Sequence, residues 1–98
     1  MAIKVIVELK AEPGRRDELA KVLHELLDDL GPVLQQRGSL GSTVYEVVDD
    51  PDTLVEIADW ESAAARDAVM SDPAAAEAMA RVFELLAGPF RATVVQEA

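Results

Sequence analysis

The chain has no cysteine and a single histidine, His24, among its 98 residues. Without cysteine it can form no disulfide framework, no thiolate nucleophile and no thiolate metal site. One histidine without cysteine also falls short of the usual ligand set of a transition-metal site, so we expect no metal. His24 lies on the predicted first helix about 120° from the centre of its apolar stripe, which indicates an exposed residue rather than a member of a Ser/His/Asp triad.

Basic residues are also scarce, with 9 Lys and Arg against 19 Asp and Glu and a formal net charge of −10. This charge repels phosphate backbones and anionic lipids, so we expect no nucleic-acid or membrane partner. No apolar run approaches the roughly 20 residues that span a bilayer. The first segment, MAIKVIVELK, has charges threaded through it and no small-residue cleavage site. It predicts a strand rather than a signal peptide, and hence a cytoplasmic protein.

What the sequence does contain is a regular succession of strand and helix patterns. Gly31-Pro32 predicts a kink in the first helix, and Gly38 its end. Ser62 and Asp72 are placed to cap two further helices, and the acidic segment DDPD predicts the turn of a hairpin. The predicted elements are, in order, a strand at 3–10, a helix from 19 to the Gly38 stop, strands at 42–48 and 53–60, helices at 62–70 and from 73 to about 86, and a strand at 90–96.

The order β-α-β-β-α-β is that of the split βαβ arrangement, an antiparallel sheet with its helices on one face, formed by a single domain of residues 1–98. Alternation along the strands groups Ile6 with Leu54, Ala58 and Trp60 on one face. The other face carries a second apolar set: Val5, Val7, Val47, Val55, Ile57 and Val94. Because both helices cover the same face, the second one lacks cover within the chain, which predicts a homodimer built sheet against sheet.

Five short motifs occur in an order known from one family: PGRRDEL, RGSLGS, LVEIADWES, SDP and LLAGP. The most specific part is the step Trp60-Glu61-Ser62 with Pro73 at the usual distance. On these motifs the chain resembles the antibiotic biosynthesis monooxygenase domains of the dimeric α+β barrel superfamily. The resemblance implies a ferredoxin-like protomer, a dimer whose two sheets form a barrel, and a pocket between sheet and helices. Members of the family include cofactor-free oxygenases of phenols, hydroquinones and anthrones, and haem-degrading enzymes.

The chain departs from this family at positions that matter for chemistry. Many members have a histidine in the helix after the tryptophan, where this chain has Val69 and Met70, and another after the proline, where it has Ala74. The haem-degrading branch also needs an asparagine on the first strand, which is absent. We therefore reject haem degradation.

Four residues are candidates for catalysis: Trp60, Tyr45, Glu56 and Asp59. Trp60 either forms the wall of a pocket for a flat aromatic ligand or is a core aromatic at a strand end. Tyr45 could donate a hydrogen bond to a substrate. One of Glu56 and Asp59 could act as a base, because apolar surroundings raise the pKa of a carboxyl group. The alternative is that each carboxylate is a solvated position of an alternating strand.

The helices contribute a second set of candidates. Met70, Met79 and Phe83 are spaced to face inward, where they line a pocket or simply form core. Arg66 and Arg81 either pair with a ligand anion or form surface ion pairs with neighbouring acidic residues, and helical spacing favours the surface pairs.

Two functions remain open. The first is a monooxygenase that needs no cofactor and oxidises an electron-rich aromatic with O2, the substrate itself supplying the electrons. The second is a non-catalytic homodimer that binds a small apolar ligand or only assembles, which the missing histidines and the alanine-rich helices favour. A carboxylate or Tyr45 beside Trp60 in a pocket would favour the enzyme over the binding protein.

Overall fold

The computed structural model describes residues 1–98, and its elements follow the predicted order. They are β1 (Ile3–Lys10), α1 (Arg16–Gln36), β2 (Ser39–Glu46), β3 (Thr53–Trp60), α2 (Ala63–Met70), α3 (Pro73–Glu84) and β4 (Arg91–Val95). The strands form one antiparallel sheet in the order β2-β3-β1-β4. The predicted α+β fold, a ferredoxin-like split βαβ with helices on one face of the sheet, is confirmed.

Helix α1 runs for 21 residues with Pro32 inside it. As predicted, the helix continues through Gly31-Pro32, and its apolar stripe extends to the half-buried Leu34. The helix ends before Gly38, which has φ of +103° and whose carbonyl accepts a hydrogen bond from the Glu61 N–H at 2.9 Å. This contact joins the start of β2 to the end of β3.

The acidic segment between β2 and β3 is a turn held by its own side chains. The Asp50 carboxylate accepts hydrogen bonds from the Asp52 N–H at 2.9 Å and from the Thr53 hydroxyl at 2.7 Å. These two bonds hold the pKa of Asp50 below its ordinary value. Arg16, at the start of α1, donates to the carbonyls of Val47 and Asp50. The aspartates therefore serve as turn residues, as the sequence predicts.

Side-chain caps start the two helices that follow the hairpin. The Ser62 hydroxyl accepts from the Ala65 N–H at 3.1 Å at the beginning of α2. The Asp72 carboxylate accepts from the Ala74 N–H at 2.9 Å and also binds Arg37 at 2.9 Å. Both contacts lower the pKa of Asp72. The predicted caps are present, and the second one also ties α3 to the end of α1.

Strand pairing corrects the predicted faces of the sheet. Val5 lies opposite Ala58, and Ile6 lies opposite Ile57, so Val5 shares a face with Ala58 and Trp60 while Ile6 does not. The predicted grouping of Ile6 with Trp60 was wrong, because alternation within one strand gives no phase relative to another until the register is known. The helix-covered face carries Ile3, Val5, Val7, Leu9, Ser42, Val44, Leu54, Glu56, Ala58, Trp60, Ala92 and Val94; the outer face carries Lys4, Ile6, Glu8, Tyr45, Val55, Ile57, Asp59, Thr93 and Val95.

The core under the helices is divided into two clusters. One contains Leu9, Ala11, Leu19, Val22, Leu23, Leu54, Val82 and Leu85, and the other Ile3, Val5, Ala58, Trp60 and Val69. Val7 packs against both clusters and therefore marks the place where they meet. Its direct neighbour on β3 is Glu56, so a carboxylate occupies the boundary between two apolar clusters.

Candidate functional site

A cavity of about 190 Å³ lies between the helix-covered face of the sheet and the three helices. Of its 20 lining residues, 17 are hydrophobic. An apolar cavity of about 150 Å³ in another protein is large enough to hold benzene, so this one has room for an aromatic ring with substituents. An apolar lining with a few polar groups is typical of a small-molecule site.

Glu56 brings a carboxylate to this cavity. Its direct partners in the sheet are Val7 on β1 and Val44 on β2, and no basic side chain lies within ion-pairing distance of it. Burial among apolar neighbours raises the pKa of Glu56 above its ordinary value of 4.5. A carboxylate with a raised pKa is a stronger base than one in water.

Trp60 lies two residues from Ala58 and four from Glu56 along β3, which places all three on the same face of the sheet. Only 5% of the Trp60 surface is exposed, yet its side chain lines the cavity as well as packing into the core. Met79 contributes a half-buried side chain from α3. The indole and the thioether thus form apolar walls near the carboxylate.

Two large apolar side chains that line the cavity remain partly in solvent. Met70 is 52% exposed and Phe83 43% exposed, and both line the cavity. Phe83 stacks on Phe90, with ring centroids 5.6 Å apart and an angle of 4° between the planes. The structure therefore brings Met70, Met79 and Phe83 to the same cavity as Trp60 and Glu56, while their roles stay predictions.

Tyr45 and Asp59 lie on the outer face, away from this cavity. Tyr45 pairs with Val55 and is 50% exposed, and Asp59 forms an ion pair with Lys4 on the neighbouring strand. That hydrogen-bonded pair raises the pKa of Lys4. Asp59 is one position from Trp60 on β3 and therefore points to the opposite face, and Tyr45 lies on that face because its β3 partner is Val55. The structure does not bring these two candidates together with Trp60.

Two further polar residues line the cavity. Ser42, on β2 opposite Ala58, had no part in the sequence-based prediction. For Arg66 a surface ion pair was favoured over a ligand anion, but it lines the cavity and has no acidic group within 4.0 Å. The signal was its spacing of three and four residues from Val69 and Met70, which places all three on one face of α2.

Other features of the molecule set limits on its chemistry. No three or more His, Asp or Glu side chains are grouped in a way that could hold a metal ion. His24 is exposed on α1, as predicted, and does not line the cavity. None of the helices combines the length and the apolar character that crossing a membrane requires. Glu56, Ser42 and Arg66 are thus the polar groups available to a molecule in the cavity.

Comparison with known proteins gives one family match and many similar structures. The family model described as antibiotic biosynthesis monooxygenase matches residues 2–81. A variant of SnoaB, a cofactor-independent oxygenase from Streptomyces nogalater, superposes with a TM-score of 0.81 at 14% identity, covering 98% of this chain and 92% of that chain. No curated protein matches the sequence.

Two other solved structures cover this chain completely. Rv0793 from Mycobacterium tuberculosis is 25% identical with a TM-score of 0.73, and 96% of that chain is covered. A conserved protein from Methanosarcina mazei Go1 is 17% identical with a TM-score of 0.83, and 94% of that chain is covered. Because the identities to SnoaB and to the Methanosarcina protein are low, their structural similarity establishes the fold alone. The family match extends over most of the sequence, including the strand that carries Glu56 and Trp60. The chain therefore belongs to the antibiotic biosynthesis monooxygenase family.

Proposed function

We propose that the protein is a cofactor-independent monooxygenase that oxidises an electron-rich aromatic of the phenol, hydroquinone or anthrone type with O2. The observation that carries the proposal is Glu56, a carboxylate of raised pKa that lines an apolar cavity together with Trp60. Family membership supports the reaction class, and SnoaB, a protein of the same fold, is a cofactor-independent oxygenase.

In this reaction the Glu56 carboxylate removes a proton from the substrate and leaves a delocalised carbanion or phenolate. The anion passes one electron to O2, and the resulting substrate radical and superoxide combine to form a C–O bond. The peroxide takes a proton back from Glu56, and loss of water breaks the O–O bond and leaves a carbonyl. For a ring CH2 the sum is CH2 + O2 → C=O + H2O, so Glu56 ends ionised and no external reductant is consumed.

The surroundings of Glu56 favour this use of a carboxylate. The apolar lining removes part of the water around the half-buried carboxylate, which raises its affinity for a proton. The Trp60 indole offers a flat surface on which an aromatic ring can stack, at a distance set by β3 rather than by a mobile loop. Ser42 adds a hydroxyl that can donate to a substrate oxygen.

The test is oxygen uptake by the purified protein, without added cofactor, over a panel of anthrones, naphthols and hydroquinones. We expect Glu56→Gln to lower kcat by about 10²- to 10⁴-fold, the usual contribution of a general base. Glu77→Gln removes an exposed carboxylate from α3, outside the cavity, and should leave the rate unchanged. Trp60→Phe tests the stacking surface and should mainly raise KM.

Oxygen uptake that never exceeds the rate of autoxidation would contradict the proposal that the protein is an oxygenase. If aromatic ligands still quench the fluorescence of Trp60, the single tryptophan, the alternative of a non-catalytic binding protein is the better description. If the oxidation rate is unchanged in Glu56→Gln, the protein is an oxygenase but Glu56 is not its base.

We also propose that the protein forms a homodimer through the outer face of the sheet. That face carries a central apolar set, Ile6, Val55, Ile57 and Val95, which no element of the chain covers. Ile6 is 36% and Val95 38% exposed in the single chain. A second copy would remove this surface from water, with the two sheets facing each other.

A further inference from the structure

Arg66 is an unpaired cation at the cavity. It lies on α2 in the same turn as Val69 and Met70, its side chain is half-buried, and it lines the cavity with Glu56 and Trp60. It makes no ion pair within 4.0 Å. A guanidinium carries five N–H donors, so a partly buried one is normally held by carboxylates or carbonyls.

Because the chain is rich in acidic residues, an arginine without an acidic partner is unexpected. Acidic residues outnumber basic ones by 19 to 9. Six of the nine basic side chains have an acidic group within 4.0 Å. Of the three that lack an acidic group, Lys21 and Arg91 are exposed to solvent. Arg66 alone is both partly buried and unpaired, and it lines the cavity.

Arg66 and Glu56 are separated within the site. They form no ion pair, and the raised pKa of Glu56 has burial as its cause, with no effect from a neighbouring cation. A ligand can therefore meet the base and the cation with different parts of its structure. Every fully buried side-chain N or O atom makes a hydrogen bond. The polar atoms of Arg66 and Glu56 that make no hydrogen bond are therefore not fully buried, and they remain accessible to the cavity or to solvent.

We propose that Arg66 is a specificity residue and that the substrate is an aromatic acid, whose carboxylate binds the Arg66 guanidinium while its ring stacks on Trp60. This substrate class rests on the proposed function, since it names the molecule on which Glu56 acts. A planar guanidinium matches a carboxylate with two parallel hydrogen bonds, and partial burial strengthens them. Anchoring the acid at Arg66 directs the reacting O–H or C–H of the ring toward Glu56.

The test is calorimetric titration with a hydroxynaphthoate and with its neutral methyl ester, a pair that differs in one charge. We expect the wild-type chain to bind the acid more tightly than the ester. Arg66→Gln should weaken binding of the acid by about tenfold or more and leave the ester unchanged. Arg66→Lys should recover part of the loss, because it restores the charge without the paired geometry.

Arg81→Gln is the matched control, because Arg81 is an exposed helical arginine outside the cavity whose nearest acidic group is Glu25 at 3.9 Å. It should change neither affinity. Circular dichroism checks that each variant remains folded. The proposal is overturned if the wild-type chain does not bind the acid, if it binds the ester equally well, or if Arg66→Gln leaves the affinity for the acid intact.

Oxygen uptake separates this inference from the proposed function. Tight, Arg66-dependent binding of aromatic acids without oxygen uptake would support the anion site and contradict the oxygenase. Glu56-dependent oxidation of neutral naphthols, with no effect of Arg66→Gln on the acid, would support the oxygenase and contradict the anion site.

Discussion

Glu56 places burial and charge in conflict at a single residue. The pKa of its carboxyl lies above the ordinary 4.5 because burial penalises the ionised form. Between the pKa of Glu56 in the unfolded chain and its higher pKa in the native state, the native state binds more protons than the unfolded chain. The free energy of unfolding therefore falls as the pH rises through this interval. The contribution of this group to stability is full below the unfolded pKa and is lost as the pH rises through the folded pKa.

We predict that Glu56→Gln stabilises the protein at neutral pH while it lowers activity. The amide keeps the shape of the side chain but carries no charge, so it avoids the penalty of burying a carboxylate. Each unit by which the pKa is raised corresponds to about 1.4 kcal/mol in the free energy of unfolding. Urea unfolding between pH 4 and 8 should show the two proteins diverging as pH rises.

Glu77→Gln, at an exposed position on α3, controls for the loss of one negative charge from a chain whose net charge is −10. Its effect measures general charge repulsion, and the effect of Glu56→Gln should exceed it at neutral pH. A Glu56→Gln protein that is less stable than wild type at every pH would contradict the prediction that burying the carboxylate costs stability.

The same residue shows how far sequence reasoning could reach into the site. Trp60, Glu56 and Asp59 were all candidates, yet only the even-numbered pair shares a face of β3. This choice needed no structure, since Asp59 is one position from Trp60 and must point the other way. The position of Arg66 at the cavity could not be predicted in this way. It depends on how α2 packs on the sheet, which only the structure shows.

At the scale of elements, the junction between α1 and β2 depends on Gly38. Its φ of +103° is in a region that L side chains rarely adopt, and a Cβ built there would lie 2.9 Å from Ala65 Cβ and from the Glu61 side chain. Gly41 has φ of +116° but nothing within 4 Å of its Cβ position. The two glycines thus share a backbone constraint and differ in packing.

We predict that Gly38→Ala destabilises the fold by about 1–3 kcal/mol more than Gly41→Ala, the usual cost of forcing extra atoms into a packed site. Both variants pay for an unfavourable backbone conformation, and only the first must also displace α2 or the Glu61 side chain. Thermal or urea unfolding of the two variants measures the difference.

Gly31→Ala serves as the control, because Gly31 lies inside α1 with no unusual φ and nothing near its Cβ position. The new neighbour of its Cβ is Pro32, which disfavours helical dihedrals in a preceding residue that has a Cβ, so any loss should be smaller than for Gly38→Ala. Equal losses for Gly38→Ala and Gly41→Ala would show that the close contact with α2 relaxes without cost.

At the scale of the whole molecule, the proposed dimer depends on the outer face of the sheet. We predict that the wild-type protein sediments at twice the 10.6 kDa of one chain and that Ile57→Lys lowers this toward the monomer. The substitution places a charge in the middle of the apolar set on the outer face, where it would have to be buried without a partner. Analytical ultracentrifugation over a range of concentrations measures the equilibrium.

Val33→Lys is the matched control, since Val33 is a large apolar residue, 54% exposed, on α1 rather than on the sheet. It should leave assembly unchanged. A wild-type chain that sediments as a monomer at all concentrations would contradict the dimer, and an Ile57→Lys dimer would place the interface elsewhere.

The sequence by itself determined the order of the elements, the turn at Asp50, the caps at Ser62 and Asp72, and the alternation that pairs Glu56 with Trp60. These depend on contacts between residues close in the chain, where periodicity and hydrogen-bonding side chains act directly. Only the tertiary structure decided that Val5 rather than Ile6 lies with Trp60, and that Arg66 meets Glu56 at one cavity. Strand register and helix placement join residues far apart in sequence, and local pattern carries no information about their relative phase.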